Sequence, residues 1–164
     1  MEENEMKRSA AEIYKRLRPL IGCKLTRYHR VYDMLMFGFG DYSLHVTCPW
    51  RIEKPNGYLV AGLHDIYLPP KMERKIDEGA DYVAWCDANR TFRDLLLKKF
   101  FGPVKKAGGF RKATVVENVD ARDCGDIVLT LTGGNKLVLF VCRTRGESWR
   151  LLDHRKEKSV HFVV

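Results

Sequence analysis

Between residues 33 and 52 the chain reads DMLMFGFGDYSLHVTCPWRI, and its apolar positions fall into two arms about a turn. Met34 to Phe39 is apolar on both faces of a strand, and Gly40-Asp41 supplies turn chemistry. In the second arm Leu44, Val46, Cys48, Trp50 and Ile52 share one face, with His45, Thr47, Arg51 and Glu53 on the other. Period-two alternation beside a Gly-Asp turn predicts a β-hairpin. The pattern then returns. Laying Asp33 on Asp126 places Gly40 on Gly133, Leu44 on Leu137 and Val46 on Leu139. Met34, Met36 and Cys48 fall on Ile127, Leu129 and Val141. Past a charged, turn-rich stretch at Arg143 to Glu147, where the first copy has only Pro49, Trp50-Arg51 meets Trp149-Arg150.

The flanking patterns supply the other elements. Ser9-x-x-Glu12 is a capping signature, and Ile13, Leu17 and Leu20 follow at helical spacing, which predicts a helix over Met6 to Pro19. Strands are expected at Lys24 to Val31 and, after the Pro55-Asn56-Gly57 turn, at Tyr58 to Gly62, with Pro69-Pro70 closing the first copy. Residues 71–90 offer a helical turn at Lys71 to Glu78 and a short aromatic strand at Tyr82 to Cys86. Thr91 caps a second helix whose apolar face is read as Phe92, Leu95, Leu96 and Phe100, and Gly102-Pro103 stops it. KKAGGFRK at 105–112 reads as a basic linker. Further strands follow at Thr114 to Asp120, Asp126 to Thr132, Lys136 to Cys142, Trp149 to Leu152 and Ser159 to Val164.

The expected fold is α+β: two related antiparallel β units with an N-terminal helix and one connecting helix. We expect one compact domain over 1–164, with half-repeats at about 20–70 and 113–164 joined by a helical basic segment at 88–112. Neither unit buries its apolar face alone, so the copies pack face to face or pair into one continuous sheet around a shared core.

Composition sharpens the class. A chain of 164 residues with 45% hydrophobic and 30% charged residues is globular. No run reaches the roughly 18 apolar residues of a membrane span. The start, MEENEMKRSAAE, lacks the apolar core of a signal peptide. A soluble, cytoplasmic protein is the expectation. Five cysteines, odd in number and never spaced CxxC, fit reduced thiols used mostly as small core residues. The net charge of +8 is concentrated: residues 90–112 hold Arg90, Arg93, Lys98, Lys99, Lys105, Lys106, Arg111 and Lys112 against Asp94 alone.

Few motifs point to chemistry. His45 and Cys48 form an H-x-x-C, but residues three apart on a strand project to opposite faces and cannot grip one ion. No cysteine opens a helix or sits in a glycine-rich elbow, so thiol catalysis is disfavoured. The glycines of FGFGD and TGG lie between apolar strands, where they serve turns and not phosphates. No metal and no cofactor are expected. A polar cluster of His45, Arg51, His64 and Asp65 near the first hairpin is the one arrangement an enzyme would use. The paired Trp-Arg dipeptides are first read as architecture: the indole anchors the core, while Arg51 pairs with Glu53 or Asp65 and Arg150 with Asp153 or Glu147. Their other reading is a guanidinium fork offered to a carboxylate or phosphate partner. The basic segment offers Arg93, Lys98 and Lys99 on the polar side of its helix, with Lys105 and Lys106 beyond. Such a patch suits an acidic protein or nucleic-acid phosphates.

The phrase SLHVTCPWRI, followed by Gly62-Leu63-His64-Asp65-Ile66-Tyr67, resembles a group of small uncharacterised bacterial proteins. These carry an LH-x-x-C-x-WR strand, a G-x-x-D-x-Y segment and a late ESWR, like Glu147 to Arg150 here. The terminal HFVV at 161–164 is also similar. The resemblance implies a bacterial, cytosolic protein and brings no activity with it; the basic segment is not part of the shared pattern. The first expectation is therefore a non-enzymatic protein-binding module, immunity-like or regulatory, whose partner surface includes Arg51, Arg150, Arg93, Lys98, Lys99, Lys105 and Lys106. The alternatives are a nucleic-acid accessory protein using 90–112 and a small enzyme at the His45 cluster.

Overall fold

The computed structural model of the protein describes residues 9–66, 91–102, 113–155 and 160–164. Its elements are α1 (Ala10–Leu17), β1 (Arg27–Val31), β2 (Met34–Phe39), β3 (Tyr42–Val46), β4 (Trp50–Glu53), β5 (Leu59–Gly62), α2 (Phe92–Phe101), β6 (Val116–Ala121), β7 (Ile127–Leu131), β8 (Asn135–Leu139), β9 (Trp149–Asp153) and β10 (Val160–Val163). Two five-stranded antiparallel sheets result, in the orders β1-β2-β3-β9-β10 and β5-β4-β8-β7-β6. The α+β class and the repeat are both present.

The connectivity differs from two self-contained units. Each copy gives three strands to one sheet and two to the other. The arm from Leu44 to Ile52 is not one strand: it breaks at Thr47–Pro49 and passes from the first sheet to the second. Its inward phase survives the crossing, because Leu44, Val46, Cys48, Trp50 and Ile52 are all buried. The second copy crosses in the opposite sense between β8 and β9. Register repeats across the exchange. Trp50 sits opposite Leu139 and Trp149 opposite Val46; Ile52 faces Leu137 and Leu151 faces Leu44. Both indoles are interior, at 3% and 0% exposure. Side chains common to the copies thus seal one hydrophobic core built from both sheets.

The first copy's leading segment also meets the second's. Lys24 bridges Val115. Gly22 N–H donates to Val116 O (2.8 Å), Val116 N–H to Cys23 O (3.0 Å) and Leu25 N–H to Thr114 O (2.8 Å). These bonds stitch the β1 edge to the β6 edge and join the two sheets there.

Each helix fills a remaining gap. Ser9 caps α1, its hydroxyl oxygen accepting from Glu12 N–H at 3.2 Å. Ile13 and Leu17 are buried, and Pro19 lies inside a 3-10 turn, Arg18–Leu20, that carries Leu20 into the core. The helix lies against β6 and reaches β10, where the Arg16 guanidinium stands 5.5 Å from the Phe162 ring centroid. Helix α2 lies between β5 and β1: Arg93 Nη1 donates to Leu63 O (3.0 Å), and the Phe101 ring meets Tyr28 at 5.5 Å and Phe37 at 6.4 Å.

The face of α2 differs from expectation. Arg93, Leu97 and Phe101 are buried, whereas Leu95 is 38% exposed. FRDLLLKKFF carries apolar residues around most of its circumference, so periodicity selects no single face, and the aromatic contacts of Phe101 decide. The cysteines also depart from the core-filler reading. Cys48 is buried, Cys23 is half-buried, and Cys124 and Cys142 are exposed. The readings at 71–90 and 105–112, and Cys86, lie outside the described residues.

Candidate functional site

The paired arginines occupy equivalent register positions on the outer faces of opposite sheets. Arg51 Nε donates to Glu53 Oε2 at 3.0 Å, and its guanidinium lies 4.7 Å from the Phe140 ring centroid. Arg150 Nε donates to Glu147 Oε1 at 2.5 Å. Each guanidinium therefore has a carboxylate from its own local segment, one of the two named for it from sequence.

The His45 cluster is divided between the sheets. His45 is opposite Arg150 on the outer face of the first sheet. Arg51 is opposite Gly62 in the second. Asp65 belongs with Gly62: its carboxylate accepts Gly62 N–H at 2.8 Å, and its carbonyl accepts Arg93 N–H at 2.7 Å, fastening the β5 exit to the start of α2. His64 is exposed beside it. His45 and Arg51 thus project from opposite sides of the core.

Arg93 needs correction as a surface residue. At 2% exposure, with Leu63 O as an acceptor, it belongs to the interior of the α2 seam and is closed to a partner. Lys98 and Lys99 are exposed on α2. Lys105 and Lys106 lie outside the described residues. Burial pushes the Cys48 thiol up to about 11, so it stays protonated near neutrality. Among the described residues no group of three His, Cys, Asp or Glu side chains is placed to hold a metal ion, and no helix is long and apolar enough to cross a membrane.

Two features lie outside the residues singled out from sequence. The first is Tyr32, in the β1–β2 turn. It is 71% exposed with φ 53°, a left-handed conformation costly for a bulky L-residue. The second copy places Gly125 there, with φ 94°. Val31 and Leu95 are also exposed. Arg30 ties the turn to α2: it donates to Tyr32 O (3.2 Å) and, through Nε (3.1 Å) and Nη2 (3.0 Å), to the Asp94 carboxylate.

The second is a cavity of about 400 Å³ where α1 covers the β3–β9–β10 end of the first sheet. Tyr42, Leu151 and Phe162 form its floor, with Asp153 and Arg155 on one side and Glu12, Lys15 and Arg16 on the helix side. Arg155 grips Asp153 through Nε (2.9 Å) and Nη2 (2.6 Å), and its guanidinium lies 4.9 Å from the Tyr42 ring centroid. Asp153 holds the Arg155 pKa above its ordinary value. Burial, more than the neighbouring charges, pushes the Tyr42 hydroxyl up. Positions at which the copies diverge would have signalled both features, whereas the alignment draws attention to positions at which they agree.

Comparison with protein-family models, with curated proteins and with solved structures finds no match to this chain.

Proposed function

We propose that this chain is a non-enzymatic binding module that recognises an acidic protein through the surface around the β1–β2 turn and α2. The observation that carries this reading is Tyr32. Copy two has glycine at the aligned position, in a turn three residues longer, and glycine adopts a positive φ at no steric cost, so a tyrosine at this angle is not demanded by backbone geometry. Residues kept in strained backbone regions cluster at functional positions. An exposed tyrosine flanked by apolar side chains is also the anchor type of protein interfaces. Lys98 and Lys99 on α2, and the +8 net charge, favour an acidic partner and speed its encounter.

Replacing Tyr32 by Gly separates binding from folding. The fold is expected to gain about 1 kcal/mol, because the strained position is relieved, read as a raised urea midpoint. Tagged wild-type protein is expected to retain one defined acidic protein from cells of its source at moderate salt, and the Tyr32→Gly protein to lose it. Equal retention by both proteins overturns the reading. So does retention of nucleic acid alone with a steep salt dependence, which would return the segment 90–112 to the alternative use.

A further inference from the structure

We infer that the cavity beneath α1 is a binding site for a small organic anion carrying a flat ring, independent of the Tyr32 surface. The internal repeat supplies the argument. Leu151 in the floor corresponds to Ile52 in the other copy, the same apolar position serving the same core. The other wall residues do not correspond in kind. Tyr42 stands where the second copy has Asn135, Asp153 where the first has Lys54, Arg155 where it has Asn56, and Phe162 where it has Ala61. The architecture therefore tolerates quite different residues at these places, and an aromatic, cationic set is a property of this end alone.

The set is chemically coherent. Tyr42 and Phe162 present rings, each with a guanidinium over it, Arg155 at 4.9 Å and Arg16 at 5.5 Å. Asp153 fixes Arg155 through two of its nitrogens, which orients the fork and leaves Nη1 to donate. Among the described residues neither Lys15 nor Arg16 is held in an ion pair. Three cations against Glu12 and Asp153 leave the cavity positive. Its volume falls within the range of small-molecule sites. A planar ring would lie among Tyr42, Leu151 and Phe162, with a carboxylate or phosphate turned to Arg155, Arg16 and Lys15.

The test is a titration of the full chain with phenyl phosphate and with benzoate, followed by amide chemical shifts, with benzamidine as the cationic control. Saturable shifts at residues of α1, β9 and β10 are expected with at least one anion, and the stronger of the two identifies phosphate or carboxylate as the recognised group. Arg155→Gln and Arg16→Gln are each expected to weaken binding by about tenfold or more. Arg16→Gln leaves the Asp153–Arg155 pair intact, so a structural effect of the first variant does not obscure the result. Absence of saturable shifts with both anions, equal binding of benzamidine, or affinity unchanged by both substitutions overturns the assignment.

Discussion

Trp149→Phe is expected to cost about 2–4 kcal/mol, whereas Trp50→Phe costs roughly 1 kcal/mol or less. The two indoles are equivalent by register and both are buried, so volume alone predicts equal losses. Their N–H groups are not equivalent. Trp149 Nε1 donates to Gly125 O at 2.9 Å, from the first sheet to the β6–β7 turn of the second. Phenylalanine would take that donor from a buried carbonyl. Trp50 Nε1 is buried with no hydrogen-bond partner among the described residues, and the carbonyl at the aligned position, Tyr32 O, accepts from Arg30. Losing that N–H removes a group already desolvated without return. Urea unfolding at constant m-value measures both changes. Equal destabilisation would show that the Gly125 bond contributes nothing.

Asp94→Asn is expected to cost about 2–3 kcal/mol and to flatten the acid side of the stability profile. Asp94 accepts the fork of Arg30 from β1, and from Thr91 both the backbone N–H (2.9 Å) and the hydroxyl (3.2 Å) at the start of α2. One carboxylate therefore caps the helix and locks it to the sheet edge. Burial by itself would raise its pKa, but the hydrogen bonds from Arg30 and Thr91 outweigh this, and the net shift is downward from 3.8. A folded value below the unfolded one means that the contribution is whole above pH 3.8 and is lost as pH falls toward the lower folded value. The variant has no such titration, so its stability should fall less steeply as the pH drops below 3.8. A wild-type acid limb no steeper than that of the variant would contradict this role.

Strand positions were readable wherever alternation was strong, and Leu44 to Ile52 kept its inward phase even through the change of sheet. The change itself was not readable. A strand and a strand broken by Cys48-Pro49 carry the same alternation, and only pairing partners distant in sequence distinguish them. The same limit explains Arg93: a cation amid FRDLLLKKFF reads as solvated until the Leu63 carbonyl arrives from another element. The ion pairs of the Trp-Arg dipeptides were legible because both partners of each lie within three residues. Tyr32 leaves no mark in the sequence pattern because its oddity is a backbone angle, and the Arg155 cavity leaves none because its walls come from α1, β3, β9 and β10.

The exchange of strands has a consequence for how the protein is made. Val46 must find Trp149 and Trp50 must find Leu139, partners about a hundred residues apart, so the second sheet waits until β8 has left the ribosome and the first until β9 and β10 have. Through most of synthesis β3 and β4 are bare edges with apolar inner faces, open to the matching strands of a neighbouring nascent chain. Two copies in one polypeptide keep the rightful partner tethered nearby, which makes reciprocal assembly within one molecule faster than the same exchange between two.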